Sequence, residues 1–547
     1  MKQSALLFFA FLSVLTAFAQ KQTKADKLTL ANLKTHVVFL ADDKLEGRRT
    51  GTKGEELAYR YISEYFKKCG LEPKGDNGTW LQKFEVNEGK QINASTFLIL
   101  DEEHFKLDID FFPLVWSANA SVEAIASPSL SESGAPWFWD LKDLLEQNQT
   151  NPHFDIMAAL HDKEKVAVQK GATALFIYNS SSLAAPVFYD AKDRTTSSTI
   201  PVLYLNKSIT DKFIKDPSHT WDIKLKTEQS NKIRVGNNVV AFINNNAATT
   251  IVLGAHFDHL GYGEDNNSRQ TGIAAIHNGA DDNASGSSAL LELARLLKKN
   301  TSATSNYLFI AFSGEELGLY GSKYFTDHST INLKQVNYMI NMDMVGRFND
   351  SSKTITVGGV GTSPNWGNLL YAEKKMPFGI KVDSSGTGPS DHTSFYRKDI
   401  PVLFFFTGLH TDYHKPTDDF NKINYNGQLA IVNYITRLIA RSEKQGRLAF
   451  QKTREQQTTT SARFTVSMGI MPDYTFSGGG VRVDGVSESK AAQKAGLKAG
   501  DIVIQLGEFS VNSVESYMQI LSKFKKGDAT KVKVKRGSEE LLFDIQF

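Results

Sequence analysis

The central part of this sequence predicts an α/β architecture: a mixed, mostly parallel sheet flanked by helices. A β-rich insertion precedes most of it, and a small β-barrel-like domain follows. Three observations carry this. NVVAFI, TIVLGAH, NYLFIAF, QVNYMINM and IPVLFFF are near-continuous apolar runs of strand length, as strands buried on both faces require. The amphipathic SALLELARLLKK alternates with them, which places helices against the sheet. After about Lys444 the apolar periodicity stops in the polar KTREQQTTTSAR, and the remainder is long enough for one small domain.

Upstream, Leu28 to about Lys90 reads as helix and then strand. LADDKLEGRRTGTKGEELAYRYI joins a polar, glycine-containing turn to Leu57, Tyr61, Ile62, Tyr65 and Phe66 at helical spacing. Between roughly Ser95 and Arg234, KVAVQKGATALFIYNSS and STIPVLYLNKS each hold a short buried strand. The expected organisation is a leader over 1–19, a first segment over 20–92, an insertion over 93–235, the main α/β domain over 236–445, a linker over 446–463 and a terminal domain over 464–547.

At 547 residues the chain exceeds one ordinary core, and two to four domains are expected. Apolar residues make up 41%, charged residues 22%, and the formal net charge is +2, so nothing points to nucleic acid or an anionic membrane as partner. MKQSALLFFAFLSVLTAFAQ has a positive start, a short apolar run and a small-x-small site ending at Ala19, which reads as a secretory signal. The run is short for a membrane span, so an exported chain without a stable anchor is expected, periplasmic or extracellular. Cys69 is the single cysteine, so no internal disulfide forms.

Several predicted strands end in residues that bind metals. His256 closes TIVLGAH, with Asp258 two residues on. Asp281 and Asp282 precede a helix, Glu315 and Glu316 follow NYLFIAFSG, Asp343 follows QVNYMINM, and His414 lies beyond IPVLFFFTG. Singly, each has an ordinary explanation: Asp281 as a helix cap, His410 as a solvated loop residue. Together, buried carboxylates at strand ends call for divalent cations. Two imidazoles with carboxylates and no thiolate suit zinc. Two zinc ions are balanced by Asp281, Glu316, Asp343 and a hydroxide, which leaves Glu315 free.

GAHFDHLG, NGADDNASG, SGEELGLYGS, NMDMVGR, PSDHTSF and YHKPTDD, in this order, resemble the co-catalytic di-zinc aminopeptidases of metallopeptidase family twenty-eight, of the zinc exopeptidase fold. The resemblance implies that Asp281 bridges two zinc ions, with His256 and Asp343 on one and Glu316 and His414 on the other. It implies that Glu315 is the general base acting on a bridging water, and that Tyr413 stabilises the oxyanion. Asp258 is expected to accept the other ring N–H of His256. A cis peptide is expected at Asp281-Asp282, and Asp391 and His392 are expected near the site without binding metal. In an extended chain adjacent residues point to opposite sides, which would separate Glu315 from Glu316.

The insertion resembles a protease-associated domain through KGATALFIYNSS and TIPVLYL. The terminal part resembles a PDZ domain through GVRVDGVSESKAAQKAGLKAGDIVIQLGEFSV. Its SMGIMPDY would offer backbone N–H groups at Gly469, Ile470 and Met471 to a peptide C-terminus, and SVESYMQILSKF would form the groove helix. The function implied is removal of N-terminal residues from peptides. Competing readings are a glutamate-carboxypeptidase-like exopeptidase, a glutaminyl-cyclase-like enzyme and a receptor without catalysis; the intact ligand set speaks against the last two.

Overall fold

The computed structural model describes residues 22–149, 154, 156–191, 197–214, 216, 218–265, 267–270, 274–453, 466–472, 479–486, 490–512 and 514–547. The expected secretory signal lies outside them. The chain divides into two compact units, one from residues up to Phe84 together with Val235–Phe547, the other Glu85–Arg234.

The first unit holds a mixed sheet whose centre is parallel. The order is Glu72–Pro73, Gln229–Ile243, Asn306–Phe312, Thr250–His256, Val336–Met342, Val402–Phe406, Thr354–Gly358 and Gly379–Val382, with Leu81–Ile92 pairing beside Gln229–Ile243. The four strands from Asn306–Phe312 to Val402–Phe406 run parallel, with His256 opposite Phe312 and Met342 opposite Phe405. Gln229–Ile243 and Thr354–Gly358 are antiparallel to their inner neighbours. Every residue of Thr250–His256 and Val336–Met342 is buried, as the unbroken apolar runs require. The helices Lys24–Leu40, Lys53–Lys68, Gly286–Lys298 and Tyr425–Ser442 pack their apolar stripes into the main core through Leu33, Val37, Ile62, Leu290, Leu293, Ile435 and Leu438. Because the four central strands are parallel, their carboxyl ends meet at one edge, and four chain segments with chemical side chains emerge side by side there.

The expected linker is corrected in its first part. Leu448 is buried in the same core as the Tyr425–Ser442 helix, and the Thr453 N–H donates to the Tyr396 hydroxyl at 3.0 Å. Residues 454–463 lie outside the described residues.

The terminal segment has its own core, built from Met468, Ile470, Val481, Val503, Leu506, Tyr517, Val532 and Ile545. Its strands run in the order Ile470–Pro472, Val481–Val486, Ile502–Leu506, Ala529–Arg536, Glu539–Gln546, with the helix Val514–Leu521 where the groove helix is expected. The Gly469 N–H is already taken by the Ser467 hydroxyl at 3.1 Å, and Ile470 and Met471 pair with Val486 and Gly485.

Among its described residues, the unit Glu85–Arg234 contains two four-stranded sheets. One is antiparallel, ordered Glu103–Phe105, Phe97–Leu100, Trp221–Thr227, Ala120–Ala126. In the other, Trp137–Asp140, Leu175–Tyr178 and Val202–Leu205 are parallel and Phe111–Pro113 is antiparallel to the last. No helix among the described residues is long and apolar enough to cross a membrane.

Candidate active site

His256 is the last residue of its strand and is buried. Its Nδ1 donates to the Asp258 backbone carbonyl at 3.2 Å, which leaves Nε2 as the ring nitrogen turned toward the carboxylates. Nε2 faces Asp282 Oδ1 at 3.4 Å and Asp343 Oδ1 at 3.2 Å. His414 repeats the pattern. Its Nδ1 donates to the Asn267 carbonyl at 2.9 Å, and Nε2 faces Asp282 Oδ2 at 3.3 Å and Glu316 Oε2 at 3.1 Å. Asp282 therefore stands between the two groups, one oxygen toward each.

The expectation that Asp281 bridges is corrected by one position. Asp281 Oδ1 accepts from the Gly346 N–H at 2.7 Å and the Ser285 hydroxyl at 3.0 Å, so it ties the loop to its neighbours. The cis peptide also moves one residue on, to Asp282-Asn283. The reason is the local path. Ala280–Ser285 forms an irregular wide turn with Asp282 at φ −105, ψ 95, which swings its carboxylate inward. Gly279 opens the turn at φ +54, where a Cβ would stand 2.1 Å from the Asp282 carbonyl oxygen and 2.5 Å from the His259 ring, so only glycine fits. Asp418 clasps the turn from outside: its Oδ2 accepts from the backbone N–H groups of Asp281 at 2.9 Å and Asp282 at 3.0 Å.

Three other expectations change. Asp258 serves His256 through its backbone carbonyl; its buried carboxylate, 3.7 Å from Nδ1, instead accepts from the Thr50 hydroxyl at 3.0 Å and the Glu315 N–H at 3.2 Å. His410 is half-buried, with Nε2 3.2 Å from Asp281 Oδ2. Glu315 and Glu316 are separated by a turn, in which Gly318 and Leu319 donate to the Glu315 carbonyl at 2.8 and 3.0 Å, and not by strand alternation.

His259 was not singled out from the sequence. Its buried ring places Nδ1 2.7 Å from Glu316 Oε1 and 3.9 Å from Asp282 Oδ2. Its signal was the second histidine of HFDH, three residues beyond His256 at the same strand end. Tyr413 lies with its ring 3.9 Å from that of His414 and under the Arg269 guanidinium at 4.5 Å. Asp391 and His392 are buried and belong to neither group; His392 stacks on Phe404 at 4.5 Å.

These residues fit a pair of zinc ions. Two donors on one tetrahedral zinc, each about 2.0–2.1 Å from it, stand about 3.3 Å apart. The four contacts of His256 and His414 Nε2 with carboxylate oxygens, 3.1 to 3.4 Å, match that spacing. The 2.7 Å contact of His259 with Glu316 is shorter and suits a hydrogen bond, so His259 orients Glu316. The electrostatics agree. Burial disfavours a charged His414 ring, yet Glu316 and Asp282 raise it to about 10. Burial and Glu316 push Asp282 up to about 7. Burial drives Glu315 well above the usual carboxylate range; His256 opposes this, while Asp343, Glu316 and Asp391 add to it. Burial would raise Glu316 too, but His414 and His259 hold it well below. Without cations the pocket recruits protons, and two divalent ions meet the same demand.

Residues 238–439 match the model of peptidase family M28, and residues 450–547 that of the PDZ domain. Aminopeptidase YwaD of Bacillus subtilis is 28% identical over 273 residues, which cover 48% of this chain and 56% of that protein. A probable leucine aminopeptidase of Arthroderma otae is 27% identical over 205 residues, 35% of this chain and 53% of that one. The chain thus spans about half the length of the curated relatives it matches. The solved structure of BSAP, a zinc aminopeptidase from Bacillus subtilis, aligns over 77% of this chain and 95% of its own at 20% identity and a TM-score of 0.43. This chain carries a peptidase family M28 domain, matched over residues 238–439, and a C-terminal PDZ domain, matched over residues 450–547.

Proposed function

We propose that this protein is an exported, zinc-dependent aminopeptidase that removes N-terminal residues from peptides with two ions held around Asp282. The observation that carries the reading is the Asp282 carboxylate, whose oxygens face two ligand groups at zinc spacing. His256 and Asp343 would hold one ion, Glu316 and His414 the other. When bound, the ions supply Lewis acidity, polarising the scissile carbonyl and acidifying water.

The chain's own groups supply the rest. Glu315 is half-buried, and its backbone is pinned to Asp258. Left out of both ligand groups, it suits a base that takes a proton from the attacking water and passes it to the leaving amine. The His259 hydrogen bond commits Glu316 to the ligand group, so neighbouring glutamates do different work. Tyr413 is the candidate donor to the oxyanion.

The insertion is read as a protease-associated domain, since both quoted segments form adjacent parallel strands, Leu175–Tyr178 and Val202–Leu205. The PDZ domain is proposed to take a peptide C-terminus at the Gly469 loop, with the Gly469 N–H exchanging its bond to the Ser467 hydroxyl for one to the peptide carboxylate.

The test is hydrolysis of one short peptide with its N-terminus free and with it acetylated, with and without chelator. Cleavage of the free form only, lost on chelation and restored by zinc, is expected. Equal cleavage of both forms would move the attack to the other end of the peptide.

A further inference from the structure

The N-terminal segment LEGRRTGT has no place in the chemistry above, yet it is wired to the loops that carry it. Arg48 is fully buried. Its Nε donates to the Phe257 carbonyl at 2.7 Å, between His256 and Asp258. Nη1 donates to Asn278 at 2.7 Å and also to Leu40, and Nη2 donates to Gly279 at 3.0 Å. One rigid guanidinium thus joins the strand end that bears His256 to the turn that bears Asp282. A planar fork with several donors in fixed directions sets distance and angle together, which a lysine ammonium does not.

Neighbours reinforce the link. Backbone N–H groups of His259 and Gly261 donate to the carbonyls of Arg48 at 3.3 Å and Gly47 at 3.1 Å. Gly47, at φ +68, lies so close that a Cβ would meet the His277 carbonyl oxygen at 2.6 Å and that of Gly261 at 2.7 Å. Asn278 Nδ2 donates to Asp43 at 2.8 Å. Thr50 reaches the carboxylate of Asp258, whose other oxygen holds the Glu315 N–H. Glu55 accepts from Ser313 at 2.6 Å, at the foot of the Glu315-Glu316 turn. The segment therefore touches three of the strand ends and loops that build the site, through these hydrogen bonds and through Leu45, which shares the apolar core with Phe257 and Ala280.

We infer that Arg48, supported by Thr50, is a positioning residue that sets the separation of the two metal-ligand groups. This rests on the metal reading proposed above. The measurements are zinc affinity by chelator competition, the visible spectrum of the cobalt-loaded protein, and kcat and KM on a free-amine peptide. They are applied to the full chain and to Arg48→Met, Arg48→Lys, Thr50→Val and Leu438→Ala. Leu438 is buried in the core helix Tyr425–Ser442 and serves as a control for stability loss alone.

Arg48→Met is expected to weaken zinc binding tenfold or more, shift the cobalt spectrum and lower kcat with KM within about twofold. Arg48→Lys, which keeps the charge but not the fork, should recover only part of this. Thr50→Val should show a smaller loss, and Leu438→Ala none. Zinc affinity and kcat unchanged in Arg48→Met, with only stability lost as in Leu438→Ala, would overturn the inference. If Arg48→Met does not fold, Thr50→Val decides: unchanged affinity and spectrum overturn it. A parent chain that takes up no zinc defeats the metal reading before any variant is compared, and this inference with it.

Discussion

Glu315 and Glu316 are chemically identical, and their surroundings make them different. Glu316 faces two imidazoles and stays ionised; Glu315 faces carboxylates as well as His256 and holds its proton more readily. Glu315→Gln is therefore expected to lower kcat by about 10³-fold while both zinc ions remain by elemental analysis. Equal loss of metal and activity would remove the division of labour. The aspartates separate as sharply. Asp282→Ala should lose both ions, whereas Asp281→Ala should keep them and lose stability, because its carboxylate holds Gly346 and Ser285. The residue types of the site were legible in the sequence, since buried acids at the ends of apolar strands have few other uses. Which aspartate faces inward was not, because a turn without periodicity gives no rule for side-chain direction. Asp258 failed for a related reason: a backbone carbonyl leaves no mark in a sequence. His259 was hidden by its neighbour His256.

At the scale of elements, the parallel order of four strands turns four separate sequence motifs into one site. The apolar runs and the intervening helix made that order readable, as parallel sheets are covered by helices on both faces and their strands read as unbroken apolar runs. The attachment of the first helices was less legible, because it depends on polar contacts across more than 200 residues. Glu292, buried on the helix Gly286–Lys298, receives Asn32 Nδ2 at 3.0 Å, the Tyr65 hydroxyl at 2.7 Å and Arg295 Nη2 at 2.6 Å, with the His36 ring at 3.8 Å. Burial alone would raise it, yet His36, Arg295 and Tyr65 pull it from about 4.5 down to about 2. A folded-state value below the unfolded one gives stability that is present above pH 4.5 and disappears as pH falls through about 2. Glu292→Gln should thus cost roughly 2–3 kcal/mol at neutral pH and flatten the acid limb of the stability profile. An acid limb identical to that of the parent chain would show that the cluster is not ionised as drawn.

For the whole molecule, the peptidase core and the PDZ core are built from separate sets of buried residues, and the insertion carries cores of its own. The division into these parts could be read from changes in composition and pattern. The exact borders could not, and residues 446–453, polar enough to read as linker, pack through Leu448 and Phe450. Metal binding should stabilise the peptidase part alone, because all of its ligands lie there. With zinc at about 1,000 times its dissociation constant the gain is about 4 kcal/mol, so chelation should lower the peptidase melting transition by roughly 5–10 °C and leave a PDZ transition unmoved. A single transition unmoved by chelator would contradict this.

The central claim is that two ions share the Asp282 carboxylate, and diffraction from zinc-loaded crystals at the zinc absorption edge tests it most directly. Two anomalous peaks are predicted, one between His256, Asp282 and Asp343 and one between Asp282, Glu316 and His414. A single peak, or peaks beside Asp281 with Asp282 turned away, would contradict it.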